Sequence, residues 1–388
     1  MFVLIMPFSG NALGKTAALF EHSLVVCLGA SLQKSLGANC IDLYPEPGEG
    51  EVLMLTRQVT EEEARECAEK AGADLYLRGN LHYRPQGSPL LEGVTVRVLI
   101  GRGDVRDREG RAEHRFSGFL KRAEGGQLLD ISALQGLVRE LTLEIADFLE
   151  YPRETLDLTG VEEGITLNPV AWAEFITALR LVPGGGSKKK HYLRAIGLDP
   201  GFAVAYLNLA RVLIGQSRHR EALDLLHDGL RHLRGDPSES DLVNLMAFCY
   251  LMEGHVRRAL EMWGRLTEEE PARAEPWYNM GNVYHSMGMP EKALELYQRA
   301  VEADGLFPLA RFALGRLYAE MGEHEASARE LSVYIRLVPG DPWAYSILGH
   351  CLLEIGERER ARFALKKALQ LDPDGEAGKR AREDLRRL

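Results

Sequence analysis

The chain has 388 residues, of which 45% are hydrophobic and 27% charged, enough for two or three soluble domains. A formal net charge of −10 argues against a nucleic-acid partner, which needs a basic face, and five scattered cysteines without a C-x-x-C pair argue against a disulfide framework or a zinc site. No apolar run reaches the ~18 residues of a membrane span, and MFVLIMPF is too short for a signal peptide, so a cytoplasmic protein with no membrane insertion is expected.

The first predicted element is the strand FVLIM, after which PFSGNALGKT leads into a helix. Strand, glycine-rich loop, Gly-Lys-Thr and helix form the outline of a phosphate-binding loop. In such a loop backbone N–H groups cradle the phosphates, the lysine reaches the terminal phosphates and the hydroxyl holds Mg²⁺. Ser9 stands where the first glycine belongs. A working site also needs a carboxylate at the end of a neighbouring buried strand. The strand CIDLY offers Asp42, read as mid-strand, and the later strands look like an antiparallel meander. The segment therefore reads first as a turn with Thr16 capping the helix, since glycine supplies positive φ and threonine caps well. The competing reading is an anion site at a helix N-terminus built from Gly14, Lys15 and Thr16. No cofactor and no metal is expected.

The first helix runs from about Ala17 to Leu36, with Phe20, Leu24, Leu28, Leu32 and Leu36 in one stripe. The strand CIDLY and the loop YPEPGEGE follow. TEEEARECAEKAG is a short amphipathic helix with a threonine cap that ends at Gly72. Three strands come next: ADLYLRGNLHY, GVTVRVLIGRG and AEHRFSGFLKR, with DREG as a hairpin turn before the third. A helix carrying Leu134, Val138, Leu141, Ile145 and Phe148 on one side closes the domain. The fold class is α+β in the order βαβαβββα over residues 1–150, followed by an all-α region.

The opening VLIMPF, the segment AGADLYLRGNL, the strand pair through DREGRAEHRF and the closing helix resemble the amino-terminal domain of TolB and the FlgO-like domains. The resemblance is closest to the version found beside helical repeats in bacterial signalling proteins, including some class III adenylate cyclases. It implies a docking module in a bacterial protein and supplies no catalytic residues. No cyclase domain accompanies it.

YPRETLDLTGVEEGITLNP breaks all periodicity, so residues 151–168 read as a linker. Beyond it the chain repeats itself. Gly281, Gly315 and Gly349 are 34 residues apart, and so are Gly288, Gly322 and Gly356. The register extends back to Pro169, with three extra residues at GDPSES. Small residues recur at the eighth position (Ala210, Ala247, Gly281, Gly315, Gly349), with counterparts at Ala222, Ala259, Ala293, Ser327 and Ala361. They let two helices lie close while Tyr284, Tyr297, Tyr318 and Leu365 fill the space between them. Pro near each end stops the second helix. The first copy departs from the pattern, with Ile176 and Lys188 at the small positions.

This pattern resembles the tetratricopeptide repeat, in six copies over residues 169–374, with residues 375–388 as a polar capping helix. The resemblance implies a solenoid whose first helices line a concave groove, with positions 2, 5, 9, 12 and 13 facing into it. Those positions give Leu207, Arg211, Asn244, Phe248, Tyr278, Asn282, His285, Phe312, Arg316 and His350, with the three aromatics expected to be exposed. The carboxylate clamp of the chaperone-binding members needs lysine and arginine where this chain has Leu309 and Ala313, and only Asn279 and Asn282 are of the clamp's kind. A chaperone-tail ligand is therefore not expected.

No nucleophile–base pair or histidine ligand spacing can be found, so the chain reads as a non-enzymatic scaffold. It would hold a protein or peptide partner with acidic groups in the groove, with the α/β domain as a second docking module and self-association left open. The alternative is a regulator controlled by a nucleotide bound at Ser9–Thr16.

Overall fold

A computed structural model describes residues 2–5, 9–10, 24, 27–28, 31, 39–42, 75–83, 94–102, 109–116, 120–123, 126–129, 131–148, 166–181 and 186–388. Two compact units divide the chain, Met1–Leu242 and Val243–Leu388.

The first unit opens with a mixed sheet. Strands β1 (Phe2–Ile5), β2 (Ser9–Gly10), β3 (Asn39–Asp42), β4 (Leu75–Tyr83), β5 (Val94–Arg102) and β6 (Glu109–Phe116) form it. Their order is β3-β1-β4-β5-β6, with β2 also paired to β4. β1 runs parallel to both β3 and β4, and the β4–β5–β6 ladder is antiparallel, as the alternation in GVTVRVLIGRG predicts. Two details differ from the sequence reading. Glu109 and Gly110, expected in a turn, already pair with Gly101 and Ile100. The run AEHRFSGFLKR does not serve as one strand: its first part, to Phe116, pairs with β5, whereas Leu120–Ala123 (β7) pairs with Gly126–Leu129 (β8) in a separate hairpin. A glycine inside the run weakens it as a single strand. The helix expected over Thr60–Gly72 lies outside the described residues.

Leu24, Cys27, Leu28 and Ser31 are helical and buried, as are Leu134, Val138, Leu141 and Ile145 of helix α1 (Ile131–Phe148). The described members of the two stripes thus turn inward, as their spacing predicts. The sequence pattern does not reveal that Thr142 Oγ1 donates to the Val138 carbonyl at 2.8 Å and accepts from Ser31 Oγ at 2.8 Å in that apolar setting.

Helices in pairs make up the rest. In the first unit these are α2 (Pro169–Arg180) with α3 (Gly186–Leu198), and α4 (Ala203–Gly215) with α5 (His219–His232). Helix α6 (Glu239–Met252) pairs with α7 (Val256–Glu269). In the second unit α8 (Ala274–Ser286), α9 (Pro290–Ala303), α10 (Pro308–Glu320), α11 (His324–Leu337), α12 (Pro342–Glu354) and α13 (Arg358–Leu371) follow the same rhythm, and α14 (Glu376–Leu385) comes last.

The described turns inside the pairs, from α4/α5 onward, share one recurring geometry. Gly254, Gly288, Gly322 and Gly356 have φ between 72° and 84°. After each, the next N–H reaches back five residues, as from His255 to the Tyr250 carbonyl at 2.8 Å, closing the first helix. The pair α4/α5 has Ser217 at the same place with φ 58°.

Packing within the pairs follows the small residues. Ala222, Ala259, Ala293, Ser327 and Ala361 are fully buried, as are Ala210 and Ala247. A Cβ built on Gly281 would lie 2.5 Å from Tyr297, on Gly315 2.8 Å from Leu331, and on Gly349 2.6 Å from Leu365. In the atypical first pair Ile176 is fully buried, and Lys188 sends its Nζ to the Leu181 carbonyl at 3.2 Å.

Candidate partner-binding groove

The groove positions lie on the first helix of each pair. Helix α12 begins where Asp341 Oδ1 accepts from the N–H groups of Trp343 and Ala344, and Pro342 occupies the first helical position, where no donor is lost. The other carboxylate oxygen of Asp341 accepts from the Tyr334 hydroxyl at 2.8 Å. One aspartate thereby ties the start of α12 to α11.

Of the expected site residues, all but Leu207, Arg211 and the three in the loop fall in the second unit. Asn244 Oδ1 accepts from Trp263 Nε1 at 2.8 Å and from Asn279 Nδ2 at 3.0 Å. An indole nitrogen can only donate, so the amide orientation is fixed. Asn282 Oδ1 accepts from the Tyr297 hydroxyl at 2.7 Å. Burial raises the Tyr297 pKa and keeps that hydroxyl a donor. Both amides are half-buried with their oxygens committed to the scaffold, which leaves their NH₂ groups as the free donors.

The three aromatics are not exposed. Phe248, Tyr278 and Phe312 are half-buried. Tyr278 lies 5.6 Å from Phe307, edge on, and 6.0 Å from Tyr297; Phe312 lies 5.1 Å from Tyr334. The rings of Tyr278 and Phe312, both at the fifth position, pack against Tyr297 and Tyr334 of the second helices, contacts that remove apolar surface from water. Leu207 is a plainer correction: at 5% exposure it is core, not groove. Arg211 is exposed, in the first unit.

The charged positions carry partners. His285 Nε2 is 2.8 Å from Glu320 Oε2, and Arg316 Nε is 3.4 Å from Glu320 Oε1. His350 Nδ1 is 3.0 Å from Asp384 Oδ2 of helix α14, and its ring meets His324 edge-on at 6.1 Å. Arg387 holds Asp384 at 3.0 Å and also Glu354, whose pKa its hydrogen bond lowers.

Phe312, Arg316 and His350 are brought together in one cleft of about 420 Å³, whose wall also includes Glu320, Trp343 and Ile347. Arg380 of α14 completes it. Trp343 occupies the second position of its repeat, so the same positional rule yields it. Arg380 has no such signal, because α14 lies outside the period.

At the other end of the chain, Gly14, Lys15 and Thr16 lie outside the described residues. Ser9 and Gly10 are extended and pair with Asn80 and Leu81 of β4. Asp42 lies in β3, opposite Ile5, and the residues that follow it lie outside the described ones. Among the described residues no group of three or more His, Cys, Asp and Glu could hold a metal ion, and no helix is long and apolar enough to cross a membrane. Cys27, Cys249 and Cys351 are buried free thiols, and burial pushes Cys249 up to about 11.

Residues 274–305 and 344–374 match models of the tetratricopeptide repeat. These segments coincide with α8/α9 and with most of α12/α13, and they are tetratricopeptide repeats. No curated protein matches the chain. Among solved structures, a MamA protein is 22% identical, with 44% of this chain and 92% of that one covered, at a TM-score of 0.35. YrrB, described as a repeat protein with an unusual peptide-binding site, is 23% identical over 50% of this chain and 97% of its own, at 0.36. A thermophilic repeat protein of Thermus thermophilus, TTC0263, is 22% identical over 47% and 98%, at 0.36. Likeness at this level says nothing of function. The repeat assignment rests on the two matched segments and on the 34-residue geometry of the helix pairs.

Proposed function

We propose that the protein is a non-enzymatic interaction scaffold that holds a protein or peptide partner along the first helices of its repeats. The observation that carries this reading is the cleft at Phe312, Arg316 and His350, where the half-buried Phe312 and the exposed Trp343 share a wall with the guanidinium groups of Arg316 and Arg380. Aromatics and arginine are the residues that dominate binding energy at protein interfaces. The donors left free on Asn244 and Asn282 suit the carbonyls and carboxylates of an extended chain. The partner segment carries at least one acidic group and lies across repeats two to six. The six repeats occupy 169–374, and residues 1–150 form a TolB-like or FlgO-like second docking module, which neither family model reaches.

Replacing Arg211 and Arg316 together by alanine tests this. Neither guanidinium supports the core, since Arg211 is exposed and Arg316 is 42% exposed. The double variant is expected to keep its melting temperature and helicity and to capture partners several-fold more weakly. Undiminished capture by the folded variant moves the site off the groove.

A second reading keeps one supporting observation. Asp42 lies on a strand parallel and adjacent to β1, the kind of strand that carries a metal-holding carboxylate beside a phosphate loop. Under this reading Ser9–Thr16 binds ATP or GTP and passes the signal to the repeats. Saturable binding of labelled nucleotide with Mg²⁺, lost in Lys15→Ala, supports it; absence of binding removes it.

A further inference from the structure

The cleft at the end of the second unit has uneven charge compensation. Glu320 is already shared between His285 and Arg316, and His350 faces Asp384. Asp384 in turn is held by Arg387. Among the described residues Arg380 alone of the cleft's cations has no ion pair or hydrogen bond, and it is exposed. Opposite the charges is an apolar surface. Trp343 is 43% exposed although it is among the largest apolar side chains, Phe312 is half-buried, and Ile347 at 5% exposure forms the floor. An exposed indole beside an uncompensated guanidinium is a surface with both of its needs unmet.

We propose that this cleft takes one bulky apolar side chain of the partner next to an acidic one, the apolar group against Trp343, Phe312 and Ile347 and the carboxylate on Arg380. The inference rests on the groove reading above and narrows it to a place and a ligand chemistry. Arg380 suits the task because a guanidinium meets a carboxylate through two parallel N–H donors. The indole contributes by losing exposed area, at roughly 25 cal/mol per Å² of apolar surface removed from water. An acid alone would leave Trp343 wet, and an apolar residue alone would desolvate Arg380 without a partner, so the two groups act together.

The test titrates the full chain, by calorimetry, with the acetylated and amidated octapeptide Gly-Ser-Ala-Phe-Asp-Ala-Ser-Gly, whose only charge is its aspartate, and with its Asn counterpart. The Asp peptide is expected to bind roughly two- to fivefold more tightly than the Asn peptide, the size of an exposed ion pair. Arg380→Ala should erase that preference and should not weaken binding of the Asn peptide. Trp343→Ala should weaken both peptides, and both variants should melt with the wild type. No binding to the wild type, equal affinity for the two peptides, or a preference that survives Arg380→Ala overturns the proposal. Partner capture by the same variants separates it from the broader reading. Capture reduced in Arg316→Ala but intact in Arg380→Ala and Trp343→Ala overturns this cleft and leaves the groove standing; capture intact in all three overturns both.

Discussion

A methyl group added to Gly315 would sit 2.8 Å from Cγ of Leu331. No rotamer change of the new residue can relieve that contact, because it is the Cβ itself that clashes. Gly315→Leu is therefore expected to destabilise the second unit by ~1–3 kcal/mol or more, with loosening in the repeats on either side, since a repeat is stabilised by its neighbours. A melting temperature within error of the wild type would show the helices to be further apart than described. Ser217 is the converse case. It holds φ 58° where four other turns have glycine, a conformation that strains an L-residue. Ser217→Gly removes that strain and loses part of the gain to a more flexible unfolded chain, so a net stabilisation of about 0.5–1 kcal/mol is expected in chemical denaturation. A destabilisation would mean that the serine makes up for its backbone in another way. The 34-residue period made Gly315 legible in the sequence, but only the coordinates supplied the distance that sets the size of the effect, and only they put Ser217 in the left-handed region.

At the scale of the element, helix α14 shows what the period cannot give. Its composition is polar, and its place as a cap follows from Ala377 and Ala381, both fully buried. Asp384 is only 8% exposed on its side chain, and it is paired with His350 and Arg387. Asp384→Ala removes the acceptor for both, and about 1 kcal/mol of local stability is expected to go with it once solvent screening of the half-exposed partners is allowed for. Hydrogen exchange should quicken in Glu376–Leu385 and little elsewhere. Uniform quickening, or none, would mean that the alanines alone hold the helix. The strands teach a related lesson. Alternation in GVTVRVLIGRG predicted β5 and its antiparallel neighbours, because side-chain period and ladder pairing are the same fact. The change of sheet between β6 and β7 depends on which strand is left to pair with, and a single run of residues does not carry that information.

For the whole molecule, the contact-defined units meet at Leu242 and Val243, inside helix α6, whereas the sequence places its linker at 151–168. A helix interior resists proteases because its backbone is hydrogen-bonded, while a segment punctuated by Pro152 and Gly160 does not. Limited proteolysis is expected to cut within the predicted linker, 151–168, and to leave a folded helical fragment starting around residue 160. Cuts that fall at 242 while 151–168 survives would set the division of the chain by contacts above the division by composition.

The sequence by itself determined the helix pairs, their turns and the small residues at their contacts. These are local matters: a period of 34 residues, a glycine that alone accepts positive φ without strain, a proline that ends a helix. It also picked out Arg316 and His350 as groove positions by their place in that period. The tertiary structure alone decided which of these residues are free to bind. Phe248, Tyr278 and Phe312 turned half inward, Asn244 and Asn282 gave their oxygens to Trp263 and Tyr297, and Arg380 arrived beside Trp343 from a helix outside the repeat. The physical reason is that a side chain's availability is settled by competition among neighbours distant in sequence. Which tyrosine hydroxyl or indole nitrogen reaches an amide first is a question of distance in space, and the period along the chain fixes only who is eligible.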